Sequence, residues 1–345
     1  MSSVDAFMAT MVAQSRPVPI ERAVALAWEH YGLDTRATRL TGERDENFKL
    51  TAADGAEYVF KIANGAEDPA VTELPTAALL HVAAADPAFP CPRVLRALDG
   101  GTQIRFADTT GIERTARMLT YLPGRLLNTA ARSRRQRAAC GRIGARLTRA
   151  LRAFEHAAAH RAIIWDVRHA GHMRRLLTEL PHFAYRTAVL ELLSHMLPTI
   201  ELQFPQLRHQ IVHNDLNALN ILVDPQEAAR IRGVIDFGDI TYTALIADVA
   251  VAAAELIPPD CTDPAAARAC VSDVARAYHE QEPLVPQELA ILGVLVAARL
   301  LMNVVVHEWH VHHNPAGGHH AALHSDYMAT RLAIAQQLLL EEFTL

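Results

Sequence analysis

The sequence predicts an α+β protein with a small, strand-rich N-terminal lobe and a larger helical C-terminal lobe. Strand-length segments of alternating polarity are concentrated in the first third of the chain, whereas long alanine- and leucine-rich segments with helical periodicity fill most of the remainder. A third observation is an island with two short apolar strands, residues 211–240, which interrupts the helices. We place the lobes at residues 1–119 and 120–345, joined close to the segment 121–124.

The N-terminal lobe is predicted to begin with an amphipathic helix at residues 19–31. Residues 47–51 and 57–62 alternate in polarity around an Ala53-Asp54-Gly55 turn, which predicts a β-hairpin. Thr72 can cap a helix that runs to about residue 85. The segments 92–97, 103–107 and 114–121 then supply further strands.

The C-terminal lobe is predicted to contain helices at residues 132–158, 167–179 and 183–203, and again from residue 244 to the end. Its basic run, 132–137, has helical spacing and is interpreted as a solvated helix face or, alternatively, an anion-binding patch. The longest apolar stretch, residues 289–306, is interrupted by Arg299 and Asn303, which a membrane span would hardly tolerate. We therefore expect a buried core helix there and no association with a membrane.

Composition excludes some classes of function. The formal charge of −5 argues against a nucleic-acid surface, which needs clustered Lys and Arg on one face. The four cysteines show neither a C-x-x-C pair nor zinc-ligand spacing, and the N-terminus lacks a basic-then-apolar signal pattern. These features predict reduced thiols in a cytoplasmic protein. We expect a monomer or a homodimer.

The island carries the chemically informative residues. Asn220 opens its first strand and Asp236 closes its second, so antiparallel pairing brings both side chains to the same end of a hairpin. Oxygen ligands so placed suit Mg²⁺, which is bound by few protein oxygens beside substrate phosphates. Asp215 lies five positions before Asn220, close to the metal without being a ligand. Such a carboxylate can orient an attacking hydroxyl and receive its proton during phosphoryl transfer.

The spacing after the island indicates the size of the acceptor. Asp248 follows Asp236 by twelve positions, which leaves no room for the long activation segment of protein kinases. The sequence therefore predicts a kinase for a small molecule.

These residues resemble the aminoglycoside phosphotransferase-like kinases, which have a bilobal protein-kinase-like fold. The similarity includes His213-Asn214-Asp215 with Asn220 and the segment 234–239, and it extends to residues 42–48, 58–62, 119–124, 165–166 and 248–250. Within this family the chain most resembles the hydroxylysine kinases and the kinase domains fused to class III aminotransferases. It departs from the commoner pattern at Asn214, where glycine often follows the histidine, and we expect this to be tolerated.

The resemblance implies a nucleotide site in the N-terminal lobe. Lys61 is expected to contact the α- and β-phosphates and to pair with a carboxylate, for which Glu73 is the first choice and Glu67 the second. The loop 42–47, with Asn47, replaces a glycine-rich phosphate loop, and the backbones of Thr120 and Leu122 are expected to meet the base. The donor is ATP or GTP; similarity to the hydroxylysine kinases favours GTP.

The acceptor pocket is expected in the helical lobe. Its candidate residues are Asp166, Asp239, Arg299 and Trp309. Arg299 shares a helix face with Asn303, His307 and His310, so it either forms an ion pair with a neighbouring carboxylate or binds a carboxylate of the acceptor. Trp165 and Trp309 are equally compatible with the core and the pocket.

The histidine-rich segment 307–324 lacks the H-E-x-x-H spacing and includes the loop 315–318, which favours a solvated loop over a metal site. Taken together, the residues and the resemblance predict transfer of the γ-phosphoryl group of ATP or GTP to a hydroxyl of a small amino-containing molecule. The favoured acceptor is 5-hydroxylysine, and the alternatives are homoserine, choline or ethanolamine, or an aminoglycoside. A non-catalytic nucleotide-binding module of the same fold is the second alternative.

Overall fold

The computed structural model describes residues 17–42, 45–130, 132–313, 325–340 and 342–345. The chain divides into two compact units, one formed by Met1–Pro123 with His156–Ala159 and the other by Gly124–Glu155 with His160–Leu345. The first unit holds the larger sheet, and the second holds most of the helices.

The first unit is built on an antiparallel sheet of six strands. Its elements in chain order are α1 (Ile20–Tyr31), β1 (Thr35–Leu40), β2 (Glu46–Ala52), β3 (Glu57–Ile62), α2 (Pro69–Ala85), β4 (Val94–Leu95), β5 (Ile104–Ala107) and β6 (Glu113–Thr120). The strand order is β1-β2-β3-β6-β4, with β5 also paired to β6. The predicted first helix and the β2–β3 hairpin are confirmed, whereas β1 was not predicted. Buried apolar residues from α1 and the sheet, including Leu26, Phe48, Phe60 and Met118, form the core.

Helix α2 begins earlier than the sequence predicted. Asp68, not Thr72, is the N-cap, because its side chain accepts a hydrogen bond from the backbone N–H of Ala70 at 2.8 Å and Pro69 occupies the first turn. The Thr72 hydroxyl instead donates to the carbonyl of Pro69, inside the helix. Pro75 therefore lies in the helix interior rather than in its first turn.

The second unit contains two small sheets and the long helices. Its strands are β7 (Arg125–Leu126), β8 (His209–Val212), β9 (Ile221–Val223), β10 (Ile231–Val234) and β11 (Thr241–Ala244). Its helices are α3 (Arg134–Ala150), α4 (Met173–Glu179), α5 (Arg186–Gln203), α6 (Leu245–Leu256), α7 (Pro264–His279), α8 (Pro286–His313) and α9 (Ser325–Leu338). Short 3₁₀ turns cover Leu127–Thr129, Ala157–His160, Val167–His172, Phe204–Gln206 and Phe237–Asp239.

The sheets of the second unit position the predicted island. Strands β10, β9 and β7 form one antiparallel sheet, and β11 pairs with β8 in another. The predicted β9–β10 hairpin is therefore confirmed, while the β8–β11 pair was not predicted. Helix α3 begins after Ser133, whose hydroxyl caps it, and ends at Ala150, earlier than predicted.

Helix α8 is the central helix of the second unit and packs against α4, α5, α6 and α9. By length and composition it could cross a membrane, with a mean hydropathy of 2.4 over its most apolar 18-residue window, but 83% of that window is buried inside the protein. This is the packing of a core helix.

Candidate active site

A row of three polar side chains crosses the sheet of the first unit. Asn47 on β2 pairs in register with Lys61 on β3, and Lys61 pairs with Arg117 on β6. Directly paired residues of an antiparallel sheet share one face, so the three side chains lie side by side. All three residues are buried, at 9%, 8% and 4% exposure, so the sheet holds two cations in a confined place.

Asp45 provides the carboxylate for these cations. Its Oδ2 lies 3.3 Å from Nη2 of Arg117 and 3.9 Å from Nζ of Lys61. Glu73, the partner predicted for Lys61, is exposed on α2 and makes no ion pair in the described part of the chain. The prediction of a Lys61–Glu73 pair is corrected on this point, because α2 begins at Pro69 and Glu73 lies on its solvent side.

The other residues predicted to bind the nucleotide are Asn47, Thr120 and Leu122. Asn47 donates weakly to the carbonyls of Thr41 and Asp45, at 3.3 and 3.5 Å, and so braces the loop between β1 and β2; residues 43 and 44 of that loop lie outside the described residues. The N–H of Thr120 donates to the carbonyl of Arg93 at 2.9 Å, so it is already satisfied. Within the described ranges no hydrogen bond engages the backbone of Leu122, which leaves that backbone available to a base.

In the second unit, the loop between β8 and β9 is fixed to helix α6. The carboxylate of Asp248 accepts the backbone N–H groups of His213, at 3.2 Å, and Asn214, at 2.5 Å. Burial raises the pKa of Asp248 to about 7, against these two hydrogen bonds, which lower it. The buried carboxylate of Asp248 therefore holds the loop in place immediately before Asp215.

Two residues of this region have a strained backbone. Asn214 has φ 64° and Asp236 has φ 58°, and they are the non-glycine residues with positive φ among those described. Asn and Asp adopt this left-handed region more readily than other side chains, which explains why Asn214 can stand where related kinases often have glycine. Strain of this kind tends to cluster at functional sites, and here it flanks Asp215 and closes the hairpin.

The hairpin brings Asn220 and Asp236 to the same end, as predicted. Val234 pairs with Ile221, and the N–H of Ile235 donates to the carbonyl of Asn220 at 2.9 Å, so Asp236 is the next residue beyond the pair. Asn220 directs its Nδ2 toward Asp215, while the carboxylate of Asp236 is exposed. One amide oxygen and one carboxylate match the hard, sparse donor set of Mg²⁺, whose remaining ligands are water and phosphate oxygens.

Asp215 makes a different number of hydrogen bonds at each oxygen. Its Oδ2 accepts Nδ2 of Asn217 at 2.9 Å and Nδ2 of Asn220 at 2.6 Å, whereas from the described residues Oδ1 accepts only Nη2 of Arg299, at 2.9 Å. A carboxylate oxygen has room for about two hydrogen bonds. Oδ2 is therefore saturated, and Oδ1 retains the capacity to accept one more donor, such as a hydroxyl.

Burial and nearby charges of both signs act on the pKa of Asp215. Burial raises its pKa to about 7, Arg299 lowers it, and the neighbouring charges of Asp239, Glu255 and Asp236 raise it again. A carboxylate with this pKa is an effective proton acceptor near neutral pH, because proton transfer is best driven when the pKa of the base is close to the working pH.

His213 braces the same loop as a neutral imidazole. Its Nδ1 accepts the backbone N–H of Asp215 at 3.3 Å, which leaves Nε2 to donate to the carbonyl of Ile235 at 3.1 Å. Burial lowers the pKa of His213 to about 4, consistent with the neutral form. The ring also packs edge-on against Phe237, with 4.9 Å between ring centroids. His213 therefore joins the Asp215 loop to the end of β10.

Arg299 forms the ion-pair arrangement that was one of its two predicted alternatives. It is 3% exposed, and besides Asp215 its Nε contacts Glu255 Oε1 at 3.2 Å and its Nη1 contacts the carbonyl of Trp165 at 3.3 Å. The guanidinium also lies over the Trp165 ring, 4.8 Å from its centroid. Contact between Arg299 and the acceptor stays a prediction.

The remaining acceptor candidates differ in accessibility. Asp166 is fully buried and caps the turn Val167–His172 by accepting the N–H of Arg168, which leaves no surface for an acceptor and corrects that prediction. Trp309 is a core residue, 4% exposed, whose Nε1 donates to Glu179 at 2.7 Å. Asp239 is buried but close enough to Asp215 to affect its pKa, and its predicted role in acceptor binding stays untested.

The histidine-rich segment is described only in part. His313 contacts Glu179 at 3.3 Å and packs on Trp309. The predicted loop 315–318 and the histidines at 319, 320 and 324 lie outside the described residues. In the ranges that are described, no group of three His, Cys, Asp or Glu side chains is arranged to hold a metal ion.

Comparison with known proteins identifies the family of the chain. The model of the family described as "Phosphotransferase enzyme family" matches residues 36–289, well over half of the chain. The chain belongs to this family and is a kinase. It is also 28% identical to hydroxylysine kinase of Mus musculus, over 85% of this chain and 83% of that protein. Identity to hydroxylysine kinase of Bos taurus is 26%, over 83% of this chain and 80% of that protein.

Solved structures share the fold at low sequence identity. A spectinomycin phosphotransferase in complex with ADP and spectinomycin has a TM-score of 0.66 at 12% identity, covering 94% of this chain and 99% of that one. An amicoumacin kinase in complex with AMP-PNP and Ca²⁺ has a TM-score of 0.64 at 16% identity, covering 88% and 87%. A microcompartment-associated aminopropanol kinase has a TM-score of 0.62 at 17% identity, covering 93% and 95%. The predicted α+β, protein-kinase-like fold is thereby confirmed.

Sequence reasoning missed several residues of the site. Arg117 and Asp45 accompany Lys61, Asn217 helps to saturate Oδ2 of Asp215, and Glu255 shares Arg299 with Asp215. A signal for Glu255 was present, because it follows Asp248 by seven positions on α6 and therefore lies on the same helix face. That face is turned toward the Asp215 loop and toward the arginine that contacts Asp215.

Proposed function

We propose that this kinase transfers the γ-phosphoryl group of a nucleoside triphosphate to a hydroxyl of a small amino-containing molecule, with 5-hydroxylysine as the favoured acceptor. The observation that carries the proposal is the environment of Asp215, whose Oδ2 is saturated by two amides while Oδ1 can accept one more hydrogen bond. A hydroxyl donating to Oδ1 is the arrangement that phosphoryl transfer requires.

The reaction is a single displacement. The acceptor oxygen attacks the γ-phosphorus as the bond from phosphorus to the β–γ bridging oxygen breaks, and the nucleoside diphosphate leaves. Asp215 Oδ1 takes the hydroxyl proton and later releases it to solvent. Arg299 and the two amides fix the carboxylate in position, so little reorganisation is needed as the proton moves.

Asn220 and Asp236 are the residues proposed to hold Mg²⁺. A bound Mg²⁺ would neutralise charge on the phosphates and orient the transferred group. Lys61 and Arg117, two buried cations that share Asp45, are proposed to contact the phosphates of the donor. The free backbone of Leu122 is proposed to meet the base, a contact that ATP and GTP can both make.

Similarity to two hydroxylysine kinases supports 5-hydroxylysine as acceptor and, through the family resemblance, GTP as donor. The test is to measure nucleoside diphosphate release with ATP and with GTP in Mg²⁺. The acceptors would be 5-hydroxylysine, homoserine, choline, ethanolamine and an aminoglycoside. We expect the highest kcat/KM with 5-hydroxylysine. Turnover with another acceptor would identify the alternative, and nucleotide binding without turnover on any hydroxyl compound would favour a non-catalytic module. We also propose a cytoplasmic location.

A further inference from the structure

Glu255 lies beside the catalytic carboxylate because both contact one guanidinium group. Arg299 donates from Nε to Glu255 Oε1 at 3.2 Å and from Nη2 to Asp215 Oδ1 at 2.9 Å. Nε and Nη2 are on the same edge of a planar, rigid group. The carboxylates of Glu255 and Asp215 therefore lie next to each other along that edge.

The two oxygens of Glu255 are used differently. Oε1 accepts both Nε of Arg299 and, at 2.8 Å, Nδ2 of Asn303. Across the described ranges Oε2 receives no hydrogen bond. It is not a buried atom, and the side chain is 22% exposed. Oε2 is thus open to solvent. Burial lowers the pKa of Arg132, and the charge of Glu255 within electrostatic reach raises it, but Arg132 donates to the carbonyl of Ile257 and forms no ion pair with Glu255 among the described residues.

We infer that Oε2 of Glu255 binds the ammonium group of the acceptor and that the enzyme selects 1,2-amino alcohols, in which ammonium and hydroxyl are on neighbouring carbons. The inference rests on the proposed function, because it places the reacting hydroxyl at Asp215 Oδ1. A hydroxyl and an ammonium on adjacent carbons span a short distance, as do the two carboxylates along one guanidinium edge.

Charge also favours an ammonium at this position. Arg299 supplies one positive charge to two carboxylates, so the ionised trio carries a net negative charge in a largely buried place. An ammonium donating to Oε2 restores neutrality with a charge-assisted hydrogen bond. A neutral group in its place would make no such bond and would leave the charge of Glu255 offset only by Arg299 and, at longer range, by Arg132. The 5-hydroxyl and 6-ammonium groups of 5-hydroxylysine have the required 1,2 arrangement.

The test compares two acceptors on wild type and Glu255→Gln. One acceptor is 5-hydroxylysine, and the other is 2-amino-5-hydroxyhexanoic acid, which lacks only the 6-amine. Glu255→Gln retains an oxygen for Arg299 and Asn303 but removes the charge. We expect wild type to prefer the amine-bearing acceptor by about 10- to 100-fold in kcat/KM, and the variant to lose most of this preference. Glu201→Gln, the same change on an exposed turn of α5, should leave the preference intact.

The outcomes separate this inference from the proposed function. Equal losses of kcat/KM on both acceptors would show that Glu255 acts only by holding Arg299. No loss on either acceptor would show that Glu255 does not contact the acceptor. Both results overturn the inference while the kinase reaction stands. Wild type alone also tests it, since equal or better turnover of the deaminated acceptor overturns it even if the variant does not fold. Absence of turnover on both acceptors, with activity on an alcohol that has no amine, would overturn the proposed acceptor class as well.

Discussion

Replacing Arg299 with methionine tests whether this arginine neutralises the buried carboxylates of the site. The substitution keeps an apolar stem of similar length but leaves Asp215 and Glu255 without their shared cation. Removing one partner of a buried ion pair costs about 3–5 kcal/mol. We take the lower end, about 3 kcal/mol at pH 8, because the two carboxylate side chains keep 17% and 22% exposure. With an unfolding entropy of about 2.1 cal/mol/K per residue, that corresponds to a fall of about 4 °C in Tm for a chain of 345 residues.

The loss should depend on pH, with a definite sign. Burial already raises the pKa of Asp215 to about 7, and removing Arg299, which lowers it, raises it further. A folded-state pKa above the unfolded value of about 3.9 means that the folded protein binds more protons, so the stability from this group is present at low pH and lost as pH rises through the folded pKa. At pH 5.5 Asp215 is largely protonated and has less need of a cation. We therefore expect roughly half the destabilisation there.

The assay is urea denaturation of wild type and variant at pH 5.5 and pH 8, with Arg232→Met as the matched control. Arg232 pairs with Asp224 at 3.2 Å but is 43% exposed, so its loss should cost less than about 1 kcal/mol at either pH. Arg299→Lys, which keeps the charge but not the two-carboxylate contact, should fall between wild type and Arg299→Met. Equal destabilisation of Arg299→Met at both pH values would refute the electrostatic reasoning and assign the effect to packing on Trp165.

Three further variants test the proposed roles. Asp215→Asn should lower acceptor-dependent turnover by about 10²–10⁴-fold, because the proton acceptor is lost, while Mg-nucleotide affinity changes little; a parallel loss of affinity in a binding titration would contradict this role. Asp236→Ala should weaken both Mg-nucleotide binding and turnover, since it removes a metal ligand, and unchanged affinity in a Mg²⁺ titration would exclude it as a ligand. Lys61→Met should raise the nucleotide KM about tenfold by removing a phosphate contact, with the acceptor KM unchanged. Lys49→Met, on the neighbouring strand, serves as its control, and an equal rise in both variants would count against Lys61.

The geometry of the island could be predicted because its residues are close in sequence. Asp215, Asn220 and Asp236 lie within one loop and one short hairpin, and strand pairing alone brings the two proposed metal ligands to the same end. The general architecture could also be predicted, because it depends on local periodicity. Alternating polarity marks the strands, and a helical repeat of apolar residues marks the helices. The start of α2 was misplaced because two residues, Asp68 and Thr72, could each cap it, and only the folded backbone shows which one does.

The sequence by itself determined the fold class, the β9–β10 hairpin of the island and the polar face of helix α8 on which Arg299 lies. Only the tertiary structure decided what that face meets: Arg299 contacts Asp215, 84 positions away, and Glu255, 44 positions away. Likewise the register of three strands placed Arg117 beside Lys61, and Asp45 rather than Glu73 pairs with them. Periodicity specifies which side of a helix or strand is polar, but the partner across that side depends on how distant elements pack, and local sequence does not encode this.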